Sequence, residues 1–113
     1  MKREAPFKHE TEDCSVRAVA NATGKPYAEC HSLMKQFGRK DGQPVSARSA
    51  AAACMSIGGK SIVTSSTKEP RLQKGSYVVF IQDHCFALVN GQAIDAPRGA
   101  LDQAPQGLFK FKE

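Results

Sequence analysis

The stretch Gly75 to Ala96, GSYVVFIQDHCFALVNGQAIDA, limits the possible folds more than any other part of the chain. Gly75 to Gln82 is apolar at successive positions, so a strand here buries both faces and belongs in the middle of a sheet. His84 to Val89 is a second strand. Asn90-Gly91 is the strongest short hairpin signal, because a type I′ turn needs two residues that tolerate positive φ. Gln92 to Ala96 then returns antiparallel. A two-residue turn sets the register: Val89 faces Gln92, Ala87 faces Ile94 and Phe86 faces Asp95. Alternation places His84, Phe86 and Asp95 on one face. His84 and Asp95 are then diagonal neighbours roughly 7–8 Å apart.

Upstream, the apolar period is helical. Asp13 is placed to cap a helix starting at Cys14, with Val16, Val19, Ala20 and Thr23 on one stripe and Gly24 as the stop. Pro26 restarts the chain, and Tyr27, Cys30, Met34 and Phe37 give a second helix an apolar face that ends at Gly38. Ser46 caps a third helix, with Ala47, Ala50, Ala51 and Cys54 inward and Gly58-Gly59 terminating it. Beyond Lys60 the period changes. Ser61 to Ser66 reads as an edge strand, Pro70 to Gly75 as a turn, and Leu108 to Lys112 as a last edge strand. Helices followed by an antiparallel sheet predict an α+β fold. The whole chain, residues 1–113, reads as a single domain.

Composition narrows the class. Hydrophobic residues make up 41% and charged residues 24%, which is ordinary for a globular protein. No apolar run approaches the roughly 20 residues of a membrane span. The segment Met1 to Glu12 is charged and lacks the apolar core of a signal peptide. Four cysteines without such a signal point to free thiols in a reducing cytoplasm. Sixteen Lys+Arg against 11 Asp+Glu give a net charge of +5, which permits an acidic partner without requiring one.

Three residues can carry chemistry. Cys14 stands at a helix N-terminus, where the helix dipole favours a thiolate. His84 can act as its base, and Asp95 can orient the base. Plainer roles stand beside these: a packed core cysteine, a strand-edge histidine and a turn-flanking carboxylate.

The stretch DCSVRAVANATGKPYAECHSLM, Asp13 to Met34, resembles the DC-x-x-RA-x-A…TG-x-x-Y motif of small papain-like cysteine peptidases found mainly in bacteriophages. Gly75 to Ala96 is similar to the segment in which that family carries its His, its hairpin and its Asp. The resemblance implies a papain-like fold, in which the first helix carries the Cys and the following antiparallel sheet carries the His and the Asp. It implies Cys14 as nucleophile, His84 as base and Asp95 as orienting group. It also implies a viral thiol protease working in the host cytoplasm without a cofactor. One departure concerns the oxyanion. These enzymes usually carry a Gln about six residues before the Cys, where this chain has Lys8 followed by His9. Thr11 or the backbone N–H of Cys14 could substitute. Losing one oxyanion donor typically slows catalysis by about 10²–10³.

Other residues invite secondary readings. Arg17, one turn from Cys14, could face an acidic substrate, lower the thiol pKa, or pair with Glu12 or Asp13. Asn21 could line a cleft on the same helix face. Cys30-His31, Cys54 and His84-Cys85 lack metal-ligand spacing, so no metal is expected. The basic residues, among them Lys2-Arg3, Lys35, Arg39-Lys40, Lys68, Arg71, Lys74, Lys110 and Lys112, are scattered. No nucleic-acid motif accompanies them. The expected partner is a protein or peptide, as substrate of a hydrolase or as host target of an inactive scaffold.

Overall fold

In the computed structural model, residues 13–40, 42–43, 45–62, 75–82, 84–100 and 105–112 are described. Helix α1 spans Cys14–Thr23, α2 Tyr27–Gln36 and α3 Ala47–Ser56. Strands follow as β1 Lys60–Ser61, β2 Ser76–Ile81, β3 His84–Val89, β4 Gln92–Ile94 and β5 Gly107–Lys112. The fold is α+β, with three helices and one antiparallel sheet among the described residues, its strands in the order β1-β5-β2-β3-β4.

The central strand is as its composition requires: every residue of β2 is buried. It pairs with β3 on one side and β5 on the other. The C-terminal strand therefore lies inside the sheet, between β1 and β2, and is not the edge strand expected from sequence. A two-sided apolar strand needs a neighbour along each edge, and β5 fills the second place with Leu108 and Phe109, which point to opposite faces. The Ser61–Ser66 strand survives as the short β1. Ile62 continues the chain beside β5, its N–H on Leu108 O, while residues 63–66 and the expected Pro70–Gly75 turn lie outside the described residues, apart from Gly75.

The hairpin keeps the predicted register: Val89 pairs with Gln92, Leu88 with Ala93 and Ala87 with Ile94. Asn90 and Gly91 take φ of +48° and +87°, as a type I′ turn demands. Asn90 adds a second tie, its Oδ1 accepting from Gly75 N–H at 2.9 Å.

The three helices pack on one face of the sheet. Val16, Val19, Tyr27, Cys30, Met34 and Cys54 meet Val78, Phe80, Cys85, Ala87 and Phe109 there. The opposite face carries a second cluster of Tyr77, Val79, Ile81, Phe86, Leu88 and Leu108, over which Ala100 is buried. This core explains why α1 is buried well beyond one stripe, with Ser15, Ala18 and Ala22 also enclosed. Helix α3 is capped as expected, Ser46 Oγ accepting from Ser49 N–H at 3.1 Å. Its buried residues are Ala50, Ala53 and Cys54, so Ala47 is outside the core.

Among the described residues, no helix is long and apolar enough to cross a membrane.

Candidate functional site

Asp13 occupies the position before α1, but its side chain does not cap the helix. The carboxylate is fully buried and bound elsewhere. Tyr27 Oη donates to its Oδ2 at 2.7 Å, and Arg17 Nε lies 3.2 Å from its Oδ1. The Arg17 contact is an ion pair whose angle is not that of a directed hydrogen bond. Burial decides this arrangement. A carboxylate enclosed between two helices needs a cation and a donor, and α1 supplies Arg17 one turn on while α2 supplies Tyr27 at its first residue.

Thr23 and Gly24 end the helix. Thr23 Oγ1 donates to Val19 O at 2.7 Å and accepts from Lys25 N–H at 3.2 Å. Gly24 follows in the left-handed conformation, its N–H on Ala20 O. Thus Asp13, Arg17, Thr23, Gly24 and Tyr27 together build the α1–α2 unit.

Cys14 is half-buried at the start of α1. The backbone N–H of Cys85 lies near enough to its sulfur to favour the thiolate. Strand pairing accounts for that donor. The N–H groups of Val89, Ala87 and Cys85 face β4 in an antiparallel ladder, and the ladder stops at Ala87–Ile94. The Cys85 N–H, next in line, turns to the thiol of the packed helix. Burial pushes the Cys14 thiol up from its ordinary value. The Cys85 N–H, the Arg17 guanidinium and the Ser15 N–H pull it back without reversing the shift. The lowered thiol expected from the helix terminus is therefore not found, because desolvation outweighs the dipole.

His84 begins β3 and lies alongside Phe86, ring centroids 6.3 Å apart and planes 20° apart. Its Nε2 is 2.8 Å from the backbone carbonyl oxygen of Asp95. The predicted pair meets, though not through the predicted atoms. Asp95 has left the strand, with φ of +59°, so Phe86 has no partner there in the ladder. Its carboxylate turns to α1 instead: Asn21 Nδ2 donates to Oδ2 at 3.1 Å, and Arg17 Nη1 lies 3.5 Å from the same oxygen. A carbonyl oxygen only accepts, so Nε2 carries the proton of this bond.

Cys14 packs on the helix side of the sheet with Cys85. His84 shares its side of β3 with Phe86, whose ring lies in the opposite cluster. Among the described residues, no hydrogen bond joins Cys14 to His84. The structure thus brings His84 to Asp95, ties Arg17 and Asn21 to Asp95, and sets Cys14 against the backbone next to His84. Lys8, His9 and Thr11 lie outside the described residues. Among the described residues, no group of three or more His, Cys, Asp or Glu could hold a metal ion.

Sequence reasoning offered Asp13 as a partner of Arg17, and the pair forms, but it missed the burial of Asp13 and the part of Tyr27. An Asp directly before a helix reads as a cap, and only the packing of α2 shows that it is a buried ion. No family model, curated protein or solved structure matches the chain.

Proposed function

We propose that this chain is a small papain-like cysteine hydrolase that cleaves an amide, isopeptide or thioester bond of a protein or peptide. Cys14 is the nucleophile, His84 the general base and Asp95 the group that orients it. The observation that carries the proposal is the His84–Asp95 bond at 2.8 Å, one residue from Cys85, whose N–H lies near the Cys14 sulfur. The imidazole rests on the other side of β3 from Cys14, so the proposal requires the ring to turn at the start of the strand before Nδ1 takes the thiol proton. The sulfur then attacks the substrate carbonyl, the leaving group departs with the proton from His84, and water clears the acyl-thioester by the same base.

Because burial raises the thiol, Cys14 is expected to react near neutral pH only when His84 takes its proton. Catalytic hydrogen bonds are often long without substrate and tighten in the complex. The resemblance to phage peptidases supports action in a host cytoplasm on a host or phage protein.

The test is alkylation of each cysteine by iodoacetamide across pH, read by mass spectrometry, in wild type and His84→Ala. The proposal expects Cys14 to react first, with a rate near neutral pH that falls at least about tenfold without His84. Equal Cys14 rates in both proteins would overturn it. A second reading is favoured by the buried thiol: the same scaffold, without activity, binds and inhibits a host protein. Equal rates would favour this reading, and its next test is affinity capture of the partner.

A further inference from the structure

We propose that Asp95 orients His84 through its backbone carbonyl, and that Arg17 and Asn21 are positioning residues that hold this carbonyl in place by gripping the Asp95 carboxylate. The proposal rests on the reading of His84 as the base and says how that base is aimed.

Three observations converge on Asp95. Its carbonyl, not its carboxylate, meets His84 Nε2. Its backbone is left-handed, with φ of +59°, one of two described non-glycine residues with positive φ. The other, Asn90, is explained by its turn. Asp tolerates this conformation better than most L-residues, and contacts to its side chain can hold it there. Here they do so from α1, where Asn21 Nδ2 and Arg17 Nη1 both reach Oδ2.

The grip has its own foundation. Arg17 is fixed on its other side by the buried carboxylate of Asp13, which Tyr27 holds from α2. A chain of contacts therefore runs from α2 through Asp13, Arg17 and Asp95 to the imidazole. The left-handed turn at Asp95 points one end of the residue at α1 and the other at His84. A carboxylate facing the imidazole could accept from either ring nitrogen and would gain from a charged ring. A carbonyl fixes the tautomer while adding no full charge.

The two arrangements differ in what Asp95→Asn does. If the carboxylate oriented His84, the amide would invert the local hydrogen bonding and change the tautomer. With the carbonyl as acceptor, Asn at this position keeps an oxygen for Asn21 and Arg17 and tolerates the left-handed backbone. The probe is the His84 ring itself, observed by long-range ¹H–¹⁵N NMR and identified with His84→Gln. Wild type and Asp95→Asn are expected to share the Nε2–H tautomer, with a ring proton whose exchange differs by less than about threefold.

Asn21→Asp is the clamp-breaking variant: it is isosteric and sets a like charge against Asp95. It is expected to speed exchange of that proton at least tenfold while the backbone amide spectrum stays folded. Arg17→Met serves as the second variant, with the same expectation. Loss of the protected proton in Asp95→Asn would overturn the carbonyl assignment. An unchanged ring proton in folded Asn21→Asp and Arg17→Met would overturn the clamp. Cys14 alkylation tests the hydrolase reading separately, since the ring spectrum is read whether or not His84 activates the thiol.

Discussion

The Tyr27–Asp13 bond ties the second helix to the start of the first, and its strength can be worked from its surroundings. The phenol donates to a carboxylate oxygen at 2.7 Å. Asp13 is 0% exposed and Tyr27 2%, so neither group can turn to water when the other is lost. Hydrogen bonds to charged groups contribute about 1.5–3 kcal/mol, and the low end applies only where solvent can substitute. Tyr27→Phe removes the donor and leaves the ring packed. Arg17 still neutralises the carboxylate from 3.2 Å, which keeps the loss below that of a fully abandoned ion. The expected cost is about 2 kcal/mol. For a chain of this size that is a fall in Tm of roughly 8 °C.

Urea denaturation of wild type, Tyr27→Phe, Asp13→Asn and the double variant closes a cycle that isolates the pair. A coupling of about 1–2 kcal/mol is expected. A single-variant cost under about 0.5 kcal/mol, with no coupling, would refute the argument that this buried carboxylate depends on the phenol.

Two further predictions concern stability. Cβ at Gly59 would sit 2.8 Å from Cys54 O and 3.0 Å from the Phe111 ring. Gly59→Ala is therefore expected to destabilise by about 1–3 kcal/mol in thermal or urea unfolding, since backbone cannot retreat as a side chain can. Burial pushes Cys30 up to about 11 and Cys54 up to about 12. Folding thus holds both thiols protonated above the pH at which the unfolded chain ionises them. Their contribution is complete below about pH 9 and is lost as pH rises through 11 to 12. Each thiol should remove about 2–3 kcal/mol by pH 11. Cys54→Ala, though less stable at neutral pH, should show a visibly flatter decline between pH 9 and 11. An equal slope in both proteins would contradict the assignment.

Much of this protein is legible in residue order alone. Asn90-Gly91 set the hairpin and its register because few residues accept that turn, and a register follows from a turn by counting. The apolar run of β2 required a central strand, and Ser46 announced α3. These are local effects, decided within a few residues. Cys14, His84 and Asp95 were also visible as candidates, since their residue types and spacing are local facts.

What the tertiary structure alone decided concerns which partner each polar group takes. Asp13 reads as a cap and is instead a buried ion, because α2 lands on it with Tyr27. Asp95 reads as a carboxylate facing a histidine, yet it offers that histidine its carbonyl, because Asn21 and Arg17 on α1 compete for the side chain. Cys14 reads as an activated thiol, yet burial under the sheet outweighs the helix dipole. The C-terminal strand reads as an edge and closes the sheet from within. In each case the sequence names a group and its possible partners. The choice among them is made by desolvation and by competition between elements far apart in the chain, and both exist only once the chain has folded.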